Sequence, residues 1–221
     1  RKCITSTMMT TFDTLSADTL LNVGIVAILR GKYAGRWPEY ADALMHGGIR
    51  ALEITLNSPG ALAGIAQLRT RATPNLMVGA GTVLSVEQVH AAVDAGAQFI
   101  VTPDTDESVI AACRARNVPI IPGAYTATEI KRAFNAGALA VKLFPADNPA
   151  YLKAIRAPLN HIPLMATGGV TLDNAAAFIS AGAVLLGVAS ALTADTLPIE
   201  QVAERAAQFM QRVAAASGSE T

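Results

Sequence analysis

A lysine and a glutamate set in apolar runs are the residues of this chain best suited to chemistry. Lys142 stands in ALAVKLFPA, residues 138–146, with Gly137 before the run and Pro145 near its end. A run of this length bounded by glycine and proline reads as a buried strand. An amine there carries a desolvation cost unless it is paired, neutral or at a cavity. Glu53 stands in a second such run, ALEITLN. Side chains alternate along a strand, so Leu52, Ile54 and Leu56 share one face and Glu53, Thr55 and Asn57 the other. By the same alternation Val141 and Leu143 pack on one side, and Lys142 points with Ala140 and Phe144 to the opposite side. The pair can be a buried ion pair that fills an interior. It can also be reactive: desolvation lowers an amine's pKa, and a neutral lysine beside a carboxylate is the minimum equipment for Schiff-base chemistry on a ketone. Lys142 lies near its strand's end, where barrel active sites form, which favours the reactive reading.

Convergence of this kind needs a fold that turns one face of several strands onto a shared interior. Strand candidates recur at intervals of roughly 20–25 residues, the length of a βα unit with its loops. They are VGIVAILR (23–30), RALEITL (50–56), NLMVGAG (75–81), QFIVTP (98–103), VPIIPG (118–123), LAVKLFP (139–145), PLMATGG (163–169) and VLLGVAS (184–190). Amphipathic helical stretches such as SVEQVHAAVDAG lie between them. Four of these helices run into HGGI, DAGAQ, NAGAL and SAGAV, where a glycine supplies the left-handed residue past the helix end. Ser58, Ser85 and Thr171 are placed to cap helix starts. Eight such units predict an α/β fold, the (β/α)8 TIM barrel. An open doubly wound sheet is the rival, but its glycine-rich first turn is absent from ILRGKYAGRW. The expected organisation is an N-terminal segment, 1–22, whose LSADTLLN forms a short helix capping the barrel bottom. A single barrel domain, 23–216, follows, closed by the helix PIEQVAERAAQFMQRVAAA, and then a frayed tail, 217–221.

Apolar residues make up 52% of the chain and charged ones 15%, enough for a large core and too apolar for disorder. With 17 basic and 17 acidic residues and no basic cluster, no nucleic-acid partner and no polybasic membrane anchor are expected. The apolar runs are of strand length, too short to span a bilayer, and RKCITSTMMTTFD lacks the apolar stretch of a secretory signal. Cys3 and Cys113 differ in context, so free thiols in a reducing cytoplasm are expected. His46 and His90 fall on helices and His161 precedes the seventh strand, so no metal site is expected.

Glycine-rich loops add anion-binding parts. GAGTV (79–83) ends the third strand and lets backbone approach a small anion. TGGV (167–170) and GVAS (187–190) end the seventh and eighth strands, the usual phosphate cradle of barrels.

The ordered set LEITLNSP, VGAGTVL, FIVTPD, PIIPGAYTATE, VKLFPA, TGGV and GVASAL, running from about Val23 to the last helix, resembles the Entner–Doudoroff class I aldolases. These act on 2-keto-3-deoxy-6-phosphogluconate (KDPG) or its galactonate epimer (KDPGal). The resemblance implies a cofactor-free, metal-independent lyase, typically a homotrimer, that takes a keto-deoxy sugar acid to pyruvate and glyceraldehyde 3-phosphate. It implies that Lys142 forms the Schiff base and Glu53 is the general acid/base. Thr82 matches the contact to the pyruvate carboxylate, helped by backbone N–H groups around Gly81. Pro103 and Phe144 match apolar walls around the pyruvyl group. Thr167, Gly168 and Gly169 match the wall and phosphate loop after the seventh strand, and Gly187 and Ser190 the loop after the eighth.

Three positions depart from the KDPG pattern or disagree with each other. Asn57 stands where many KDPG enzymes have arginine, and LNSP is similar to the KDPGal branch, as is Arg30, which could deliver a cation to the same mouth. Thr167 is the KDPG-type residue, its KDPGal counterpart being apolar. Ala189 replaces a common glycine near the phosphate, which leaves a 6-sulfo sugar acid as an alternative substrate. The rivals from other classes are a phosphosugar isomerase or epimerase and a non-catalytic sugar-acid-binding barrel. An isomerase would need metal ligands or an acid/base pair rather than an isolated lysine.

Overall fold

Strand pairing is parallel throughout. The computed structural model describes residues 17–31, 35–71, 75–194 and 197–217. It forms one sheet from β1 (Ile25–Leu29), β2 (Ala51–Thr55), β3 (Met77–Gly81), β4 (Ile100–Val101), β5 (Ile120–Ile121), β6 (Gly123–Ala124), β7 (Val141–Leu143), β8 (Leu164–Thr167) and β9 (Leu185–Val188). Their order is β5-β4-β3-β2-β1-β9-β8-β7-β6. The two ends of that order, β5 and β6, are separated in the chain only by Pro122. The predicted fifth strand is thus one barrel strand cut at a proline, which has no N–H to donate to a ladder. The Pro122 carbonyl still accepts from Lys142 N at 2.8 Å, and Ile120 O accepts from Leu139 N at 3.0 Å. The sheet closes there, giving the predicted barrel with nine segments in place of eight.

Around it lie α1 (Ala17–Leu21), α2 (Trp37–His46), α3 (Ala61–Thr70), α4 (Val86–Asp94), α5 (Glu107–Ala115), α6 (Ala127–Asn135), α7 (Pro149–Arg156), α8 (Ala175–Ser180), α9 (Ser190–Thr193) and α10 (Ile199–Ser217). Residues 1–16, including Cys3, and tail residues 218–221 lie outside the described residues. The helix-ending glycines behave as expected: Gly48, Gly96, Gly137 and Gly182 have φ of 95°, 98°, 108° and 101°. In each case the next residue's N–H returns to a carbonyl five residues back, as Ile49 does to Leu44, so the helix is closed and the strand starts at once. Asn117, φ 53°, does the same after α5. Two predicted caps are corrected. The α3 N-cap is Gly60, not Ser58, and α8 begins after Asn174, whose side chain turns back to accept from Thr171 N. Ser85 does cap α4, accepting from Gln88 N.

Alternation splits the core in two. Outward residues such as Leu52, Ile54, Val141 and Leu143 join the helices in one apolar layer. Inward residues Val26, Ala51, Met77, Phe99, Val101, Ile121, Ala140, Met165 and Leu185 form a second cluster inside the barrel, joined by Leu20 of α1. This interior floor is filled by buried apolar side chains, so polar inward residues further along the strands stand on a packed base. No helix among the described residues is long and apolar enough to cross a membrane.

Candidate active site

Above that floor, toward the C-terminal ends of the strands, the inward positions turn polar. Glu53 is in the middle of β2 and is 2% exposed, and Lys142 of β7 is 6% exposed. Burial is the largest influence on both and acts in opposite directions. It pushes the Glu53 carboxyl up to about 7, with the positive charges of Lys142 and Arg30 pulling partly back. It pulls the Lys142 amine below its ordinary value; Glu53 opposes this, Arg30 adds to it, and Asp104 opposes it. The two groups therefore share one field across the barrel, and each is nearer to neutrality than it would be in water. Among the described residues Glu53 Oε2 is buried without a hydrogen-bond partner. A carboxylate near pH 7 with a free oxygen can both accept and return a proton.

Small residues make room for these side chains. A Cβ on Gly81, at the end of β3, would collide with the Glu53 carboxylate, and one on Gly187 of β9 would collide with Thr167 Oγ1. Thr167 ends β8, is 4% exposed, and its hydroxyl also lacks a partner among the described residues. Phe144 follows β7, is 36% exposed, and holds its ring 4.9 Å from Lys142 Nζ. Gly168 and Gly169, with φ of 81° and 86°, turn the chain after β8; a Cβ on Gly168 would stand 3.0 Å from the Phe144 ring. Lys142, Phe144, Thr167, Gly168 and Gly187 thus form one wall. Glu53 and Gly81 form another.

The remaining predicted residues are placed less tightly. Thr82 follows Gly81 with φ of 55°, a strained conformation for a β-branched residue and one that turns the mouth loop sharply. Pro103 is half-buried past β4, its carbonyl where a Cβ on Gly123 would fall. Arg30 is exposed at the end of β1, and its charge reaches both Glu53 and Lys142. Ser190 is exposed at the first position of the one-turn α9. Asn57 lies on an exposed turn beyond β2, where strand alternation no longer sets its direction. Sequence reasoning missed Asp104, whose charge reaches Lys142. Its signal was a carboxylate three residues past a strand end in IVTPD. It also misread Ser58, whose hydroxyl accepts from Gly31 N at 2.7 Å across to the first loop. Among the described residues no three His, Cys, Asp or Glu side chains are grouped to hold a metal ion.

Comparison with known proteins supports the fold and gives the family. The family model for KDPG and KHG aldolase matches residues 17–207. The 2-dehydro-3-deoxy-6-phosphogalactonate aldolase of Escherichia coli (strain K12) is 38% identical over 190 residues, covering 85% of this chain and 93% of that protein. The 2-dehydro-3-deoxy-phosphogluconate aldolase of Treponema pallidum (strain Nichols) is 42% identical over 143 residues, 63% of this chain and 68% of that one. A solved structure of native KDPGal superposes with a TM-score of 0.84 at 37% identity, over 88% of this chain and 96% of that one. With the barrel, the buried lysine and carboxylate, and a family match over most of its length, the chain belongs to the KDPG and KHG aldolase family, a family of lyases.

Proposed function

We propose that this protein cleaves a 2-keto-3-deoxy-6-phospho sugar acid to pyruvate and D-glyceraldehyde 3-phosphate by class I chemistry on Lys142. One observation carries the reading. Burial drives an amine down and a carboxyl up to about 7 inside the same cavity mouth. Neutral Lys142 attacks the C2 ketone, and Glu53 supplies and removes the protons as water leaves. The iminium formed draws electrons from C3–C4 when the C4 hydroxyl loses its proton to Glu53, directly or through a water. The aldehyde departs, the enamine takes a proton at C3, and hydrolysis frees pyruvate and the amine.

Thr82 and the backbone around Gly81 receive the substrate carboxylate in this reading, and Pro103 and Phe144 flank the pyruvyl group. Gly168, Gly169, Gly187 and Ser190 receive the terminal anion, with Arg30 as the mouth cation, and Thr167 faces the C4 side. We further read the chain as a single barrel domain over 23–216 that works as a homotrimer in the cytoplasm without a cofactor. The family resemblance supports the trimer, and a sedimenting particle three times the 22.9 kDa chain is its expected signature. Borohydride reduction in the presence of pyruvate tests the chemistry. A pyruvyl adduct on the Lys142 peptide by mass spectrometry is expected; folded protein with no adduct in excess pyruvate rejects the mechanism. Cleavage rates on the gluco, galacto and 6-sulfo substrates then define the C4 configuration and the terminal anion.

A further inference from the structure

Two buried hydroxyls at the end of β2 lie outside the reacting pair yet bear directly on it. Thr55 is fully buried and Ser58 is 5% exposed. Ser58 Oγ accepts from Gly31 N at 2.7 Å and stands 2.9 Å from Thr55 Oγ1, which in turn reaches Leu29 O at 3.4 Å. The direction of this chain follows from donor supply. Gly31 N–H can only donate and Leu29 O can only accept; with Thr55 Oγ1 donating to Leu29 O, the Ser58 hydroxyl donates its hydrogen bond to Thr55 Oγ1. Neither hydroxyl is left unsatisfied by this arrangement.

The two backbone groups held are not arbitrary. Leu29 C=O belongs to the peptide before Arg30, and Gly31 N–H to the peptide after it. Peptide planes are rigid, so holding both fixes φ and ψ of Arg30 and with them the direction of its Cα–Cβ bond. The arginine side chain is exposed and long, and by itself would distribute over many rotamers. Its charge nevertheless acts on both Glu53 and Lys142. The Thr55 methyl also packs beside Gly81, where an added Cβ would stand 3.2 Å from Thr55 Cγ2. The same glycine makes room for the Glu53 carboxylate. Ser58 is three residues ahead of Ala61, the first residue of α3, and its hydroxyl is turned across to the loop after β1 rather than onto that helix.

We propose that Thr55 and Ser58 form a hydroxyl clamp that positions Arg30 at the barrel mouth, making Ser58 a positioning residue for capture of the anionic substrate. The proposal rests on the aldolase reading above for its kinetic consequence, and on the hydrogen-bond chain alone for the clamp. The test is a cycle of Ser58→Ala and of the near-isosteric Thr55→Val, each alone and combined with Arg30→Ala. Each single clamp variant raises KM for the keto-deoxy phospho sugar acid by roughly tenfold with kcat changed less than about twofold. In the Arg30→Ala background neither adds a further loss, because the group being positioned is gone. Ser58→Thr, which keeps the Oγ, restores most of the affinity. An unchanged KM, or a loss of equal size with Arg30 absent, overturns the proposal. Amide hydrogen exchange at Gly31 gives a second readout independent of any reaction: it speeds up in Ser58→Ala and Thr55→Val if the clamp holds that N–H. Unchanged exchange overturns the clamp. Failure of the wild-type protein to form a pyruvate adduct at Lys142 rejects the aldolase reading instead, and Gly31 exchange still decides the clamp.

Discussion

Glu53 and Lys142 tie catalysis to stability with opposite signs. The Glu53 carboxyl, ordinarily near 4.5, holds its proton in the folded protein to about 7. Between those values the folded state binds more protons than the unfolded one, so stability falls as pH rises through the window. The loss is about 3 kcal/mol once pH is above 7, taking 1.36 kcal/mol per unit. Lys142 runs the other way. Its folded amine releases its proton below the ordinary 10.5, so in the window beneath 10.5 stability rises with pH. Glu53→Gln should flatten the profile between pH 4.5 and 7 and raise stability at pH 8, measured by urea unfolding at several pH values. Retro-aldol kcat/KM should fall as pH drops below about 7, since Glu53 must be ionised to accept the C4 hydroxyl proton. An acid limb that survives in Glu53→Gln would assign that base elsewhere.

Single elements decide where these groups can stand. β3 brings Gly81 beside Glu53, and β9 brings Gly187 beside Thr167, in register with Thr55 and Thr167 respectively. A methyl at Gly81 would meet the Glu53 carboxylate in a strand whose backbone any residue could adopt, so the penalty is steric and local. Gly81→Ala is expected to lower kcat/KM roughly 100-fold through displacement of the carboxylate by about an ångström. Its circular dichroism spectrum should match the wild type, and wild-type kinetics would show that the carboxylate has freedom to spare. The helices are held by capping of ordinary kinds. In α6 the Thr126 hydroxyl and the Glu129 carboxylate bond each other's backbone N–H, a reciprocal box that fixes where this helix starts.

For the whole molecule the decisive feature is that one end of the barrel is packed solid and the other is reactive. Leu20 comes from α1, ahead of the eight repeating units, and is fully buried against the interior floor with Phe99, Met77 and Leu185. Leu20→Ala removes that plug, with an expected cost of about 2–5 kcal/mol. Because Leu20 enters the floor from the N-terminal side of the barrel, with the rest of that filled layer between it and Glu53 and Lys142, kcat/KM well below the melting temperature should stay unchanged. Denaturant midpoints and steady-state rates on the same sample check both halves of the expectation. A large rate loss would mean that the floor transmits strain to the mouth.

Local rules made much of this protein legible from its residues. Alternation along ALEITLN and ALAVKLF told which side chains face inward, and a glycine past each helix told where helix stops and strand starts, because both are properties of a few consecutive residues. The same rules failed one step past a strand end. Asn57 shares a parity with Glu53 but lies on an exposed turn, and Ser58 looks like a helix cap but bonds across to Gly31. The bottom helix around Leu20 and the convergence of Glu53 and Lys142 were expected from the residues; only the closed sheet decided that the fifth strand breaks at Pro122, that the Leu20 side chain itself packs into the floor, and how burial moves the two titratable groups in opposite directions. Closure is a long-range condition on strand tilt and register, and no short stretch of sequence carries it.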